Sequence, residues 1–322
     1  MDPNFPTDAD YASWGQRTGP EVDPTPAAMP RPKVLRGRFV ELRSPTDEDL
    51  EDWWRAFGQS RETDSYWSYM LNGPYKGLPF PTGDAQGEAS ASLNGEEGAA
   101  QREARAKATF MKDCISKRDD PTYCYYAIVS LNAGAASTSE PRLSGRAQGV
   151  FCLFNSNLPN RTTELGHVML APSIRGTRAA TEAFFLLMQR AFEGDTEEGE
   201  EKGEGRAISV GGQRRLTTFR RLEWKCNELN GPSQSAARRL GFTYEGIFRQ
   251  HMINKARSRD TAWFSIIDSE WPLLRQAFQL WLAEDNFYPA EEGSNTQGRE
   301  RQKVGLREIR EKLVEQTGSV MK

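Results

Sequence analysis

Residues 171–185, APSIRGTRAATEAFF, set small residues in a turn, arginines at 175 and 178 beside it, and an apolar helix behind. The first turn of a helix leaves main-chain N–H groups unpaired and carries partial positive charge, so an anion binds there readily. Small residues let a phosphate approach the main chain, and Arg175 and Arg178 would add charge. A helix start with two solvated arginines is the plainer alternative, and these residues alone leave both open. The stretch lacks the GxxxxGK[ST] of a nucleotide-triphosphate loop and the GxGxxG of a dinucleotide fold, which argues against both classes.

Other reactive side chains are sparse. His167 and His251 are the only histidines, too few for a histidine-rich centre, so no metal is expected. Cys114, Cys124, Cys152 and Cys226 show no CxxC spacing. Three of them lie in apolar or strand-like runs, which reads as reduced core thiols in a cytoplasmic protein.

The elements that must position the turn follow from periodicity. GRFVELRSP (37–45) alternates as a strand, and Thr46 caps the amphipathic helix TDEDLEDWWRAF (46–57), whose early acids suit the helix dipole. REARAKATFMKDCISKRDD reads as a second helix, and TYCYYAIVSL, AQGVFCLFNSN and TTELGHVML as strands. The helix after the turn is apolar nearly all round, as expected for one buried against a sheet. RRLEWKCNEL is then a strand and GPSQSAARRLG a short helix closed by Gly241. FTYEGIFRQHMIN and DTAWFSIID form a hairpin, and SEWPLLRQAFQLWLAE a last helix. The order β–α–α–β–β–β–α–β–α–β–β–α predicts one mixed α/β domain over 33–288. Polar insertions are expected near 81–101, 132–146 and 193–214, with a flexible arm over 1–32 and a charged tail over 289–322 containing one weakly helical stretch.

Composition narrows the partners. The net charge of −3 and pI near 5.7 give no bulk attraction to nucleic acid or membrane. No apolar run is long enough to span a bilayer, and MDPNFPTDAD has neither the basic nor the apolar part of a signal peptide. A mean hydropathy of −0.71 fits an ordinary core plus polar segments outside it. Nothing in the chain sets its oligomeric state.

Taken together, VLRGRFVELRSPTDEDL, ELGHVMLAPSIRGTRAATEA and KCNELNGPSQSAARRLGFTYEG resemble the GNAT superfamily of acyl-CoA-dependent N-acetyltransferases, in its RimJ/RimL-like branch, over about residues 33–288. The resemblance implies a mostly antiparallel sheet with one parallel pair splayed at the cofactor, and acetyl-CoA as co-substrate. The loop Arg175, Gly176, Thr177, Arg178, Ala179, Ala180 and Thr181 would hold the pyrophosphate. Arg178 stands where the family loop has its inner glycine. Val168, Met169 and Leu170 would bond the pantetheine arm and polarise the thioester carbonyl, and Asn230 would hold the pantetheine region. An Asx-type turn before Pro232 is the structural alternative for Asn230.

Direct attack requires a neutral amine, so a base is helpful for an α-amino group and nearly obligatory for lysine. The resemblance assigns that base to Glu164, with His167 as a second candidate. It assigns the acid that protonates the departing thiolate to Ser233, since Ala237 stands where many family members carry a tyrosine. Tyr66 and Trp67 are expected on the acceptor wall with Arg249 and His251, whereas Trp53 and Trp54 read as core. The resemblance implies a primary amine as acceptor, either a protein N-terminus or a small amine. A non-catalytic acyl-CoA-binding or interaction protein is the alternative.

Overall fold

A computed structural model describes residues 8–15, 17–59, 61–75, 99–131, 145–194, 207–210, 213–216, 218–288 and 301–318. Eight strands form one sheet in the order β1-β2-β3-β4-β5-β8-β10-β9. They are β1 (Leu35–Arg36), β2 (Val40–Arg43), β3 (Cys124–Ser130), β4 (Ala147–Asn157), β5 (Thr162–Leu170), β8 (Arg221–Asn227), β9 (Thr243–Asn254) and β10 (Arg257–Ile267). Every pair is antiparallel except β5 with β8. A separate hairpin, β6 (Ala207–Val210) with β7 (Gln213–Leu216), occupies part of the third expected insertion. The rest of that insertion, and most of the other two, lie outside the described residues.

Helices cover both faces, and each face has its own core. α4 (Arg178–Glu193), α5 (Gly231–Leu240), α6 (Trp271–Leu282) and α7 (Leu306–Thr317) belong to one side. The other side carries α2 (Asp47–Trp53), continued by a π turn over Trp54–Gly58, and α3 (Ala99–Asp119). Trp53 and Trp54 are core there, as expected. Thr46 and Asp49 close the capping box that starts α2. α4 is fixed by Glu182, whose carboxylate accepts the main-chain N–H groups of Arg38, Phe39 and Val40. No helix among the described residues is long and apolar enough to cross a membrane.

The domain extends beyond the expected limits. The stretch read as tail contains α7, which buries Leu306, Ile309 and Leu313 in the helix-side core. That i, i+3, i+7 stripe makes one face of a highly charged helix apolar. The N-terminal arm begins with the short α1 (Asp8–Ser13). At its inner end it is docked rather than loose: Ala27 is buried, and its N–H donates to the Leu158 carbonyl at 2.9 Å.

One feature of the sheet creates the site. β5 and β8 pair only from Thr162↔Arg221 to Glu164↔Glu223. Beyond Glu164 the strands continue without pairing, so a cleft opens with its apex at that residue. β5 is also bulged near His167, which has φ 52°, where β4 advances two residues for three on β5.

Candidate active site

The β5 wall ends in the turn that starts α4. Gly176 has φ 72° and no neighbouring atom near its missing side chain, so glycine is required there for conformation rather than space. The Thr177 hydroxyl caps α4 by accepting the Ala180 N–H at 3.2 Å and donates to the Ile174 carbonyl at 2.7 Å. Among the described residues no acceptor meets the N–H groups of Gly176 and Ala179. With the unpaired edge of β5 beyond Glu164, these groups leave an open main-chain surface along this wall, of the kind that takes an anion at the helix start. Met169 is buried, and Val168 and Leu170 are half-buried.

The two arginines of the turn have opposite fates. Arg175 donates from Nε to the Leu170 carbonyl at 2.7 Å and lays its guanidinium 4.1 Å above the Tyr66 ring. It thereby ties the turn to the expected acceptor wall. Arg178 is buried, with its guanidinium 3.7 Å from the Phe287 ring centroid and 4.8 Å from that of Phe39. Its side chain points into the core rather than along the helix surface toward a phosphate. Ala180 and Thr181 also face inward, and Thr181 accepts from Arg239 at 3.1 Å.

At the apex, Glu164 is 6% exposed. Its Oε2 accepts from Asn155 Nδ2 at 3.0 Å and pairs with Lys225 Nζ at 3.0 Å. No donor among the described residues reaches Oε1. Burial pushes the Glu164 carboxyl above the usual carboxylate range, against the opposing pull of Lys225 and Asn155. Burial also works against the Lys225 charge, but Glu164 and Glu223 outweigh it and raise the lysine's pKa. Lys225 bonds Glu223 at 2.8 Å and lies 4.1 Å over the Trp263 ring. His167 packs against Tyr123 and Phe154. Burial, reinforced by Lys117, brings its pKa down to about 4, so it is neutral at pH 7 and a weak base.

Across the cleft, Ser233 sits in the first turn of α5, and its Oγ accepts from Trp224 Nε1 at 3.0 Å. That bond fills one lone pair, and the hydroxyl proton lies within reach of the Cys226 sulfur. Asn230 is the N-cap of α5, with its Oδ1 accepting the Ser233 N–H at 3.2 Å. The Asx-type arrangement is thus present, and the Asn230 amide NH₂ is left for a ligand.

Trp67 is buried, with Nε1 donating to the Phe57 carbonyl at 2.8 Å. It bounds a cavity of about 30 Å³ shared with Tyr75, Phe110, His167 and Met169, roughly the room of one or two waters. The β9–β10 hairpin reaches back to this wall, where Lys255 Nζ donates to the Trp67 carbonyl at 2.6 Å. Arg249 and His251 are exposed on β9, and His251 Nδ1 bonds Thr261 Oγ1 at 3.0 Å. Sequence reasoning missed Lys225 and Trp224. Their signal was the alternation in RLEWKCN, where Leu222, Trp224 and Cys226 are buried and Glu223 and Lys225 face the opposite way.

A GNAT acetyltransferase domain model matches residues 40–243. Among solved structures, a GCN5-related N-acetyltransferase from Brucella melitensis is 30% identical, covering 89% of this chain and 98% of that one, with a TM-score of 0.63. A structure described as a probable GNAT-family acetyltransferase from Chromobacterium violaceum is 26% identical, covering 79% of this chain and 100% of that one, at a TM-score of 0.52. None of the curated proteins compared with the chain matches it. With more than half its length matched by the domain model, and with the opened β5–β8 pair in its sheet, the chain belongs to the GNAT acetyltransferase family.

Proposed function

We propose that the chain is an N-acetyltransferase of the RimJ/RimL-like branch that moves an acetyl group from acetyl-CoA to a primary amine by direct attack in a ternary complex. The observation that carries this reading is the cleft itself, with a carboxylate of raised pKa at its apex and an oriented hydroxyl on the opposite wall. The Gly176 and Ala179 N–H groups would receive the pyrophosphate, and the free edge of β5 the pantetheine arm. Glu164, through Oε1 or one water, takes a proton from the ammonium, and its raised pKa makes it a stronger base than an ordinary carboxylate. A main-chain N–H near the end of β5 polarises the thioester carbonyl as the amine adds. When the new C–N bond has formed and the C–S bond breaks, Ser233 gives its proton to the departing sulfur and regains one from the amide nitrogen, which sheds its second proton at this step. Lys225 and Asn155 hold the carboxylate in place.

The four cysteines are all free and buried, which favours a reducing compartment such as the cytoplasm. The acceptor is a protein N-terminus or a small amine.

Calorimetry with coenzyme A, ATP and NAD, followed by acetyl-CoA turnover over a panel of amines, tests the reading. Only coenzyme A is expected to bind, and Ser233→Ala should lower kcat about 10-fold while leaving coenzyme A affinity unchanged. Coenzyme A binding without turnover of any amine would favour a non-catalytic acyl-CoA-binding protein. No coenzyme A binding at all would overturn the proposal.

A further inference from the structure

The cleft contains a charged side chain that the reaction above does not use. Arg259, on β10, is 9% exposed. Among the described residues its guanidinium makes no ion pair or hydrogen bond, and Nε is shielded from water without an acceptor. Only Nε is cut off from water, while the terminal nitrogens keep some contact with it. A largely buried cation with no anion beside it is nonetheless costly, because burial removes part of its hydration and nothing replaces it. Burial accordingly weakens its hold on the proton, and the carboxylate that pulls the other way is Glu164, at the apex of the cleft.

Strand alternation puts Arg259, Thr261 and Trp263 on one face of β10. Trp263 is registered against Lys225, the partner of Glu164, so this face looks onto the apex. Trp263 repeats the same deficit, since its Nε1 is buried without an acceptor. Two buried donors on one face of one strand, both lacking acceptors, call for an oxygen-bearing ligand.

We infer that Arg259 is a specificity-determining residue, and that the acceptor is a small amine carrying a carboxylate, an amino-acid-like zwitterion. The inference rests on the acetyl-transfer reading above. The guanidinium fork takes the carboxylate in two parallel N–H···O bonds, while the amino end faces Glu164. The opposite charges of Arg259 and Glu164 match the opposite charges of one small molecule. A doubly charged phosphate fits less well, because two carboxylates, Glu164 and Glu223, already stand at the apex, with Lys225 and Arg221 as their partners.

The test reads binding rather than turnover. N-acetylglycine, N-acetylmethionine and N-acetylphenylalanine, each against its own amide, are titrated calorimetrically into the coenzyme A-mixed full chain. At least one acid should bind 10-fold or more tightly than its amide. Arg259→Gln should abolish that preference, and Arg259→Lys, which keeps charge but loses the fork, should retain part of it. Melting curves establish that the variants are folded. Equal affinity for every acid and its amide, or a preference that survives in Arg259→Gln, overturns the inference. So does a loss of coenzyme A affinity in that variant, which would put the arginine on the cofactor. A carboxylate preference that depends on Arg259, in a protein that acetylates no amine, would sink the proposed reaction and leave this assignment standing.

Discussion

The β5 wall of the cleft offers main-chain groups: the strand edge beyond Glu164, the bulge at His167 and the N–H groups of Gly176 and Ala179. The facing wall, β8, β10 and the start of α5, offers side chains: Lys225, Trp263, Arg259 and Ser233 with Trp224 behind it. The difference sets what each wall tolerates. On the proposed reading, a ligand held by main-chain N–H groups is indifferent to most side chains around it, so an inward-turned Arg178 does not disturb it. A ligand held by a guanidinium, a lysine-fixed carboxylate and a tryptophan-oriented hydroxyl depends on each of them by type.

The largest expected effect is at the apex, where the walls meet. Glu164→Gln should lower kcat at least 100-fold and leave coenzyme A affinity unchanged. Its melting temperature at neutral pH should stay level or rise. The carboxyl's pKa is raised in the folded protein, so the native state binds the extra proton and stability falls as pH climbs through that raised value. An amide escapes that loss. Lys225→Met gives the same site a second readout. Without the lysine the Glu164 pKa climbs further, so the acid limb of the kcat/KM profile should move to higher pH. An unmoved limb, or a Glu164→Gln enzyme of normal rate, would remove Glu164 from the base role.

Arg178 separates the walls in the opposite sense. Arg178→Ala removes a buried cation from two aromatic rings and should cost about 2 kcal/mol of stability, measured by denaturant unfolding. Coenzyme A affinity should hold, because the helix N-terminus still presents its main-chain groups. A variant of normal stability that binds coenzyme A poorly would return Arg178 to the cofactor.

What could be read in advance follows the same division. The element order was legible from alternation and helical spacing, because each strand and helix carries its own pattern of burial. Glu164 and Ser233 could be named as candidates through the motifs around them. Their supports could not, since Lys225 and Trp224 are neighbours on β8 that face opposite sides, and only strand order reveals that β8 lies beside β5. The fate of Arg178 depends on Phe39 and Phe287, distant in sequence and joined only by the packing of β2 and the segment after α6. α7 reads as tail for a related reason. Its three apolar residues sit among charges, and nothing local announces the groove between α5 and α6 that receives them.

The smallest effect is the sharpest test of a main-chain wall. Gly176 holds φ 72° with open space where a side chain would go. Gly176→Ala therefore meets no clash, only the left-handed backbone penalty of about 1 kcal/mol. Relaxing the turn to escape that penalty would rotate the Gly176 N–H and disturb the start of α4. Coenzyme A affinity should then fall about 5-fold, the same free energy expressed as binding, while the melting temperature changes little and kcat at saturating acetyl-CoA stays level. If the penalty appeared only in stability, with coenzyme A bound as tightly as before, the turn would be a structural corner and the pyrophosphate would have to be held by other groups.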